Sequence, residues 1–131
     1  MIVLDTCAII WNALSPELLS KKALKAIEEA ETGKEIIFCE VSFWEIAMLM
    51  KKGKLQPGVN YSIFISDILK SQNYIVHGMS PEIAELSVNL PTEINNDPSD
   101  RIIAATSIIL KAPLITADEK LRKSKVLKTI W

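Results

Sequence analysis

The sequence predicts an α/β fold: a mainly parallel central β-sheet flanked by α-helices. Three observations predict it. Short apolar runs rich in β-branched or aromatic residues recur along the chain, stretches of helical periodicity separate them, and no hairpin signal joins the first two runs. A parallel sheet needs crossover connections and helices on both faces, and its strands read as continuous apolar runs.

Met1–Leu4 is the first such run and stops at Asp5; Glu35–Cys39 is the second, with Ile36, Ile37 and Phe38. Tyr74–Val76 and Leu114–Thr116 complete four expected buried strands. Between the first two, Pro16 to Ala30 sets Leu18, Leu19, Ala23, Ala26, Ile27 and Ala30 against Lys21, Lys22, Lys25 and Glu29, an amphipathic helix. Glu45 to Lys52 carries the apolar block Ile46–Met50 and ends at Gly53, a helix stop. Further helices are expected over Ser62–Ser71, Pro81–Leu90 and Asp100–Leu110. The last is apolar nearly all round and so belongs in the interior.

The 131 residues fit a single domain, 1–131, and 49% apolar content supports a packed core. The longest uncharged run, Ile102 to Leu110, is too short to span a bilayer, and Asp5 interrupts the N-terminal apolar run before any signal-peptide pattern forms. Two cysteines make no disulfide framework, so a cytoplasmic protein without a membrane role is expected. Fifteen basic residues stand against sixteen acidic ones. That balance argues against a broad basic surface, but it is unevenly distributed. Lys120, Arg122, Lys123, Lys125 and Lys128 face only Glu119 after Asp118, which leaves an acidic excess on the rest of the chain.

The acids fall at telling places. In an open parallel sheet, ligands bind beyond the carboxyl ends of the strands. Asp5 directly follows the first strand, Glu45 begins the helix after the second, Asp100 opens the apolar helix, and Asp118 lies two residues beyond the last strand. Converging carboxylates raise one another's pKa, a conflict that divalent cations relieve. Oxygen donors without companion His or Cys favour Mg²⁺ or Mn²⁺. Two such ions about 3.5–4 Å apart are the usual apparatus of phosphodiester hydrolysis. A second account of the same acids is helix capping. Ser42-Phe43-Trp44-Glu45 fits a capping box, Asp97 precedes Pro98 as an N-cap, and Asp5 and Asp118 are equally suited to that role.

Ile2-Val3-Leu4-Asp5-Thr6 with Ala8-Ile9-Ile10-Trp11, Ser42–Ala47 with Lys52-Gly53-Lys54-Leu55, Asp97–Ala105, and Leu114–Asp118 together resemble the four motifs of PIN-domain ribonucleases, above all the VapC-type toxins. They occur in family order from Ile2 to Asp118. The resemblance implies a sheet of four or five strands and an Mg²⁺- or Mn²⁺-dependent endoribonuclease restrained by a cognate antitoxin. By motif position it makes Asp5, Glu45, Asp100 and Asp118 the catalytic, metal-holding acids and Asp97 a structural cap. Thr6 and Thr116 fall at supporting polar positions. It further implies a homodimer and an antitoxin segment lying in an apolar groove between surface helices. Asn95 and Ser99 depart from the His and aromatic residue that related toxins often carry there.

Other residues remain open at this stage. Arg101 suits three roles equally: neutralising the acids, contacting phosphate, or pairing with Asp97. His77 reads as a strand-end residue, and Cys7 and Cys39 as small reduced core residues. Trp11, Phe43 and Trp44 read as packing against core or partner before base stacking. Lys120, Arg122 and Lys123 are placed to guide an RNA backbone towards the acids. A phosphatase- or receiver-like domain would want a more specific aspartate motif and a later lysine. A non-catalytic scaffold would have lost acids that here all stand.

Overall fold

The computed structural model describes residues 1–33 and 35–131. The chain runs β1 (Ile2–Leu4), α1 (Thr6–Leu14), a 3₁₀ turn (Pro16–Leu18), α2 (Lys21–Glu31), β2 (Ile36–Cys39), α3 (Val41–Lys51) and α4 (Tyr61–Ser71). It continues through β3 (Tyr74–His77), α5 (Pro81–Asn89), α6 (Pro98–Leu110), β4 (Leu114–Ile115), α7 (Glu119–Arg122) and β5 (Thr129–Ile130). The five strands form one parallel sheet in the order β3-β2-β1-β4-β5. The α/β expectation is met.

Period-two alternation divides the core between the two sheet faces. Ile2, Leu4, Ile36, Phe38 and Ile115 face Ala23 and Ile27 of α2 and Phe64 and Ile68 of α4. Val3, Ile37, Cys39 and Leu114 face Ile83 of α5 and Ile103 and Ala104 of α6. Leu4 sits at the centre, in register with Phe38 on one side and Ile115 on the other. Helix α6 is interior as its composition requires, with Ile103 through Ser107 all buried.

Two local expectations need correction, and two elements add to those read from the sequence pattern. Pro16–Ala30 is not one helix. Pro16 opens a 3₁₀ turn, and Ser20 then caps a new helix by accepting from the Ala23 amide at 3.1 Å. Residues Thr6–Leu14, not anticipated as helical, form α1 and bury Ala8, Ile9 and Ile10. Strand β3 is not buried: it lies at the sheet edge, where Ile75 and Val76 are 42% and 45% exposed. A fifth strand, Thr129–Ile130, pairs with β4 beyond the basic stretch that masks its two-residue pattern. Among the described residues no helix is long and apolar enough to cross a membrane.

Candidate active site

The strand order reverses direction at β1. From there the chain builds outward through β2 and β3 on one side and through β4 and β5 on the other. Such a switch point leaves a crevice beyond the carboxyl ends of the central strands. Asp5 leaves β1 into that crevice, and Thr116 and Asp118 leave β4 beside it. Helix α3 packs against α6 and brings Glu45 towards the first turn of α6, which carries Asp100. Of the four acids singled out in the sequence, Glu45 and Asp100 bring carboxylate oxygens within 4.8 Å of each other, Asn95 bridges Asp100 to Asp118, and Thr116 links Asp5 to the Asp118 backbone. The Asp100 carboxyl lies within the electrostatic reach of Asp5, Asp97, Glu45 and Asp118.

Asp97 joins them. It caps α6 as expected, accepting from the amides of Ser99 at 2.9 Å and Asp100 at 3.4 Å. Yet one oxygen each from Asp97, Glu45 and Asp100 all lie within 4.8 Å of one another. The structural role expected for Asp97 is met, and its carboxylate also lies beside those of Glu45 and Asp100.

Hydroxyl groups orient the acids. Thr116 donates to Asp5 Oδ2 at 2.6 Å and accepts from the Asp118 amide at 3.1 Å. Thr6 donates to Glu45 Oε1 at 2.6 Å and shares a 2.8 Å hydrogen bond with Ser42. These contacts replace the expected capping box. Helix α3 begins at Val41 with Glu40 as its flanking residue, so Ser42 lies inside the first turn and Glu45 reaches across to α1. Asp118 does cap α7, accepting from Leu121 at 3.1 Å. Replacing Thr116 by Val keeps the buried shape but removes both contacts. Thr116→Val is expected to cost about 1–3 kcal/mol of stability, because the buried Asp5 carboxylate and the Asp118 amide each lose a partner. Thr116→Ser should stay near the parent, as urea unfolding will show.

Arg101 takes none of the three roles considered for it. Its guanidinium turns away from the acids and donates to the carbonyls of Ser87 (2.9 Å), Leu90 (2.6 Å), Ile94 (3.2 Å), Pro91 (3.3 Å) and Asn95 (3.4 Å). The planar fork thereby closes the loop between α5 and α6, and any support for the site is indirect. Lysine cannot reproduce that geometry. Arg101→Lys is expected to cost about 2 kcal/mol of stability, measurable by urea unfolding.

The loop so held places Asn95 over the cleft, a residue whose site contact the sequence did not announce. Its amide nitrogen donates to Asp100 Oδ2 and, at 3.0 Å, to Asp118 Oδ2.

Burial and mutual repulsion set the electrostatics. Desolvation first, then the charges of Asp5, Asp97, Glu45 and Asp118, push the Asp100 carboxyl up to about 8. Burial raises Glu45 too, against the hydrogen bond from Thr6 and with Asp5 and Asp97 adding to the rise. Asp5 is also raised by burial, opposed by Thr116 and the first-turn amides of α1. Among the described residues the only ion pairs are Lys25–Glu29 and Lys123–Glu119, so no basic side chain is paired with these acids. An all-oxygen donor set with uncompensated charge fits Mg²⁺ or Mn²⁺.

The other residues of interest lie elsewhere. His77 ends β3 with Nδ1 2.8 Å from the Gly78 carbonyl oxygen. It lines, with Glu40, Phe43, Met79 and Ile102, a cavity of about 370 Å³ that includes none of the five acids. Both cysteines are free, but only Cys39 is buried; Cys7 is exposed. Trp11 packs on Trp131 and Phe43 on Phe38, as expected of packing residues, whereas Trp44 is 60% exposed.

The sequence profile of the PIN domain matches residues 2–127. The chain belongs to the PIN-domain family. This PIN domain is 29% identical to Ribonuclease VapC22 of Mycobacterium tuberculosis (strain ATCC 25618 / H37Rv) over 99% of its own length and 98% of the relative's. Its fold is similar to a chain of VapBC2 from Rickettsia felis, solved bound to a promoter DNA fragment, with a TM-score of 0.73 at 16% identity. That match covers 98% of this chain and 97% of the other. FitAcB of Neisseria gonorrhoeae gives a TM-score of 0.67 at 14% identity, covering 98% and 96% of the two chains.

Proposed function

We propose that this PIN domain is an endoribonuclease that hydrolyses RNA phosphodiester bonds with Mg²⁺ or Mn²⁺ held by Asp5, Glu45, Asp100 and Asp118, with Asp97 in reach. One observation carries the reading: acids from separate chain segments gather at the switch point with no basic side chain among the described residues paired to them. Held by these acids, a divalent cation would supply Lewis acidity towards a phosphodiester and lower the pKa of water. The protein's own work is to hold the acids in place. Thr116 fixes Asp5, Thr6 fixes Glu45, and the α6 N-terminus fixes Asp97 and Asp100. Incubating purified protein with RNA, with and without Mn²⁺ or Mg²⁺, tests the reading. Cleavage that persists in excess chelator would defeat it.

Polyanion guidance falls to the segment after Asp118. Helix α7 begins at that acid, and its basic residues Lys120, Arg122 and Lys123 follow within a turn or so. Replacing all three by Glu is expected to weaken RNA binding and flatten its dependence on salt, because fewer counterions are released. A salt slope equal to the parent's would place the backbone track elsewhere.

Restraint by an antitoxin in the cytoplasm completes the proposal, with a homodimer as the expected toxin assembly. A solved neighbour of the same fold, the toxin–antitoxin complex from Klebsiella pneumoniae, supports such a partner. So does a groove of about 310 Å³ between α1 and α4, lined by Leu14, Val59 and Phe64 together with Asn12, Asp67 and Gln72, a mixed lining that suits an amphipathic segment.

A further inference from the structure

We infer that Asn95 is a positioning residue for the cation site: a neutral clamp that sets the separation of Asp100 and Asp118 before the cation arrives. The inference rests on the proposed metal-dependent function. Asp100 and Asp118 come from different segments, one from the first turn of α6 and the other from the turn after β4. Nothing in the covalent chain fixes the distance between them, and their charges repel. The Asn95 amide nitrogen carries two hydrogens and spends them on the two carboxylates, one on each Oδ2. Its orientation is determined by the opposite end of the amide. Oδ1 accepts from the Asp97 backbone N–H at 2.7 Å, which only an oxygen can do, so the nitrogen must face the acids.

The clamp is itself held. The carbonyls of Ile94 and Asn95 accept from Arg101, and the Ile94 side chain is fully buried in the core beside α6. Asn95 therefore stands on an anchored loop, as precise positioning requires.

An amide at this position has an advantage that a cation would lack. Lysine or arginine would neutralise the acids and occupy the place the metal ion needs. The amide offsets part of the repulsion through its donors while leaving the net negative charge intact. It also engages the same oxygen, Oδ2, of both carboxylates. Asp100 Oδ1 carries no protein hydrogen bond among those described, and Asp118 Oδ1 serves the α7 cap.

Calorimetric titration of Mn²⁺ into the full-length protein tests the inference. Asn95→Ala is expected to weaken Mn²⁺ binding by about tenfold, the lower end of what an outer-shell partner contributes. Asn95→Gln, which keeps both amide hydrogens on a longer arm, should recover part of that loss. Thermal unfolding without metal provides the structural control. A residue that only braces the loop would lower the melting temperature in Asn95→Ala and leave Mn²⁺ affinity at the parent value. That result, or a raised affinity, overturns the inference. If Asn95→Ala does not fold, Asn95→Ser removes the double donor at smaller cost and is read by the same criterion. Parent protein that binds no Mn²⁺ would overturn the metal-dependent function and this inference with it. Binding by the parent, matched by the variants, overturns the inference alone.

Discussion

Asp100→Asn is expected to reduce RNA cleavage by at least about a thousandfold, equivalent to roughly 4 kcal/mol of transition-state stabilisation. The same variant should be more thermally stable than the parent at pH 8 when no divalent metal is present. Both effects have one source. Asp100 is held among Asp5, Asp97, Glu45 and Asp118 with its carboxyl pushed up to about 8, so ionising it in the metal-free fold works against burial and four neighbouring charges. Asparagine removes that charge at almost constant shape, and with it a proposed cation ligand. Single-turnover cleavage and paired thermal melts measure the two effects. A variant that keeps more than a few per cent of the parent rate would remove Asp100 from the metal-holding group. One that melts below the parent at pH 8 would contradict the electrostatic account.

Divalent metal should restore what the acids take from stability, and do so increasingly as the pH rises. A carboxyl whose folded pKa exceeds its unfolded value binds more protons in the native state. Stability from such a group is fully present below its ordinary value of 3.8 and is lost as the pH climbs towards the folded value, about 8 for Asp100. Glu45 and Asp5, both raised, act in the same direction. Metal-free protein should therefore melt at a lower temperature at pH 8 than at pH 6. Mn²⁺ binds the ionised acids only and shifts the fold by mass action. The rise in melting temperature on adding Mn²⁺ should accordingly be larger at pH 8 than at pH 6, and excess chelator should abolish both that rise and the cleavage. A shift independent of pH would mean that the metal binds away from Asp100.

Much of the fold was legible because periodicity and burial coincide. Ile2-Val3-Leu4 and Ile36–Cys39 are buried on both faces, as parallel strands between helices must be, and the middle of α6, Ile103 to Ser107, lies in the interior while Ile109 is exposed. What escaped depended on tertiary setting. Ile75 and Val76 read as core residues, yet β3 is the edge of the sheet, a property of strand order and not of local sequence. Ser42 and Glu45 have capping-box spacing, but the nearby Thr6 hydroxyl offers Glu45 a partner across two helices. Strand β5 is only two residues long and carries no periodic signal.

The site divides along the same line. Acids at strand and helix ends could be located because sheet geometry dictates where such ends point. Asn95 and the carbonyl-binding role of Arg101 could not, since both depend on how a single loop closes on itself. Arg101 beside Asp100 invites an electrostatic account from sequence, but on a helix adjacent residues face different directions, and here one faces the cleft while the other faces the loop.

The hydrogen bond from Thr116 to Asp5 joins residues 111 positions apart. No fragment ending before β4 can make it, and none that stops short of Asp118 holds the complete set of acids. A prematurely terminated or clipped chain consequently lacks the full carboxylate group by its own topology. Conversely, two inert pieces divided in an exposed connection, such as that between α3 and α4, would regain the full carboxylate group only by reassociating. Split this way, the protein would report its own reassembly through the return of the crowded acidic environment around Asp100.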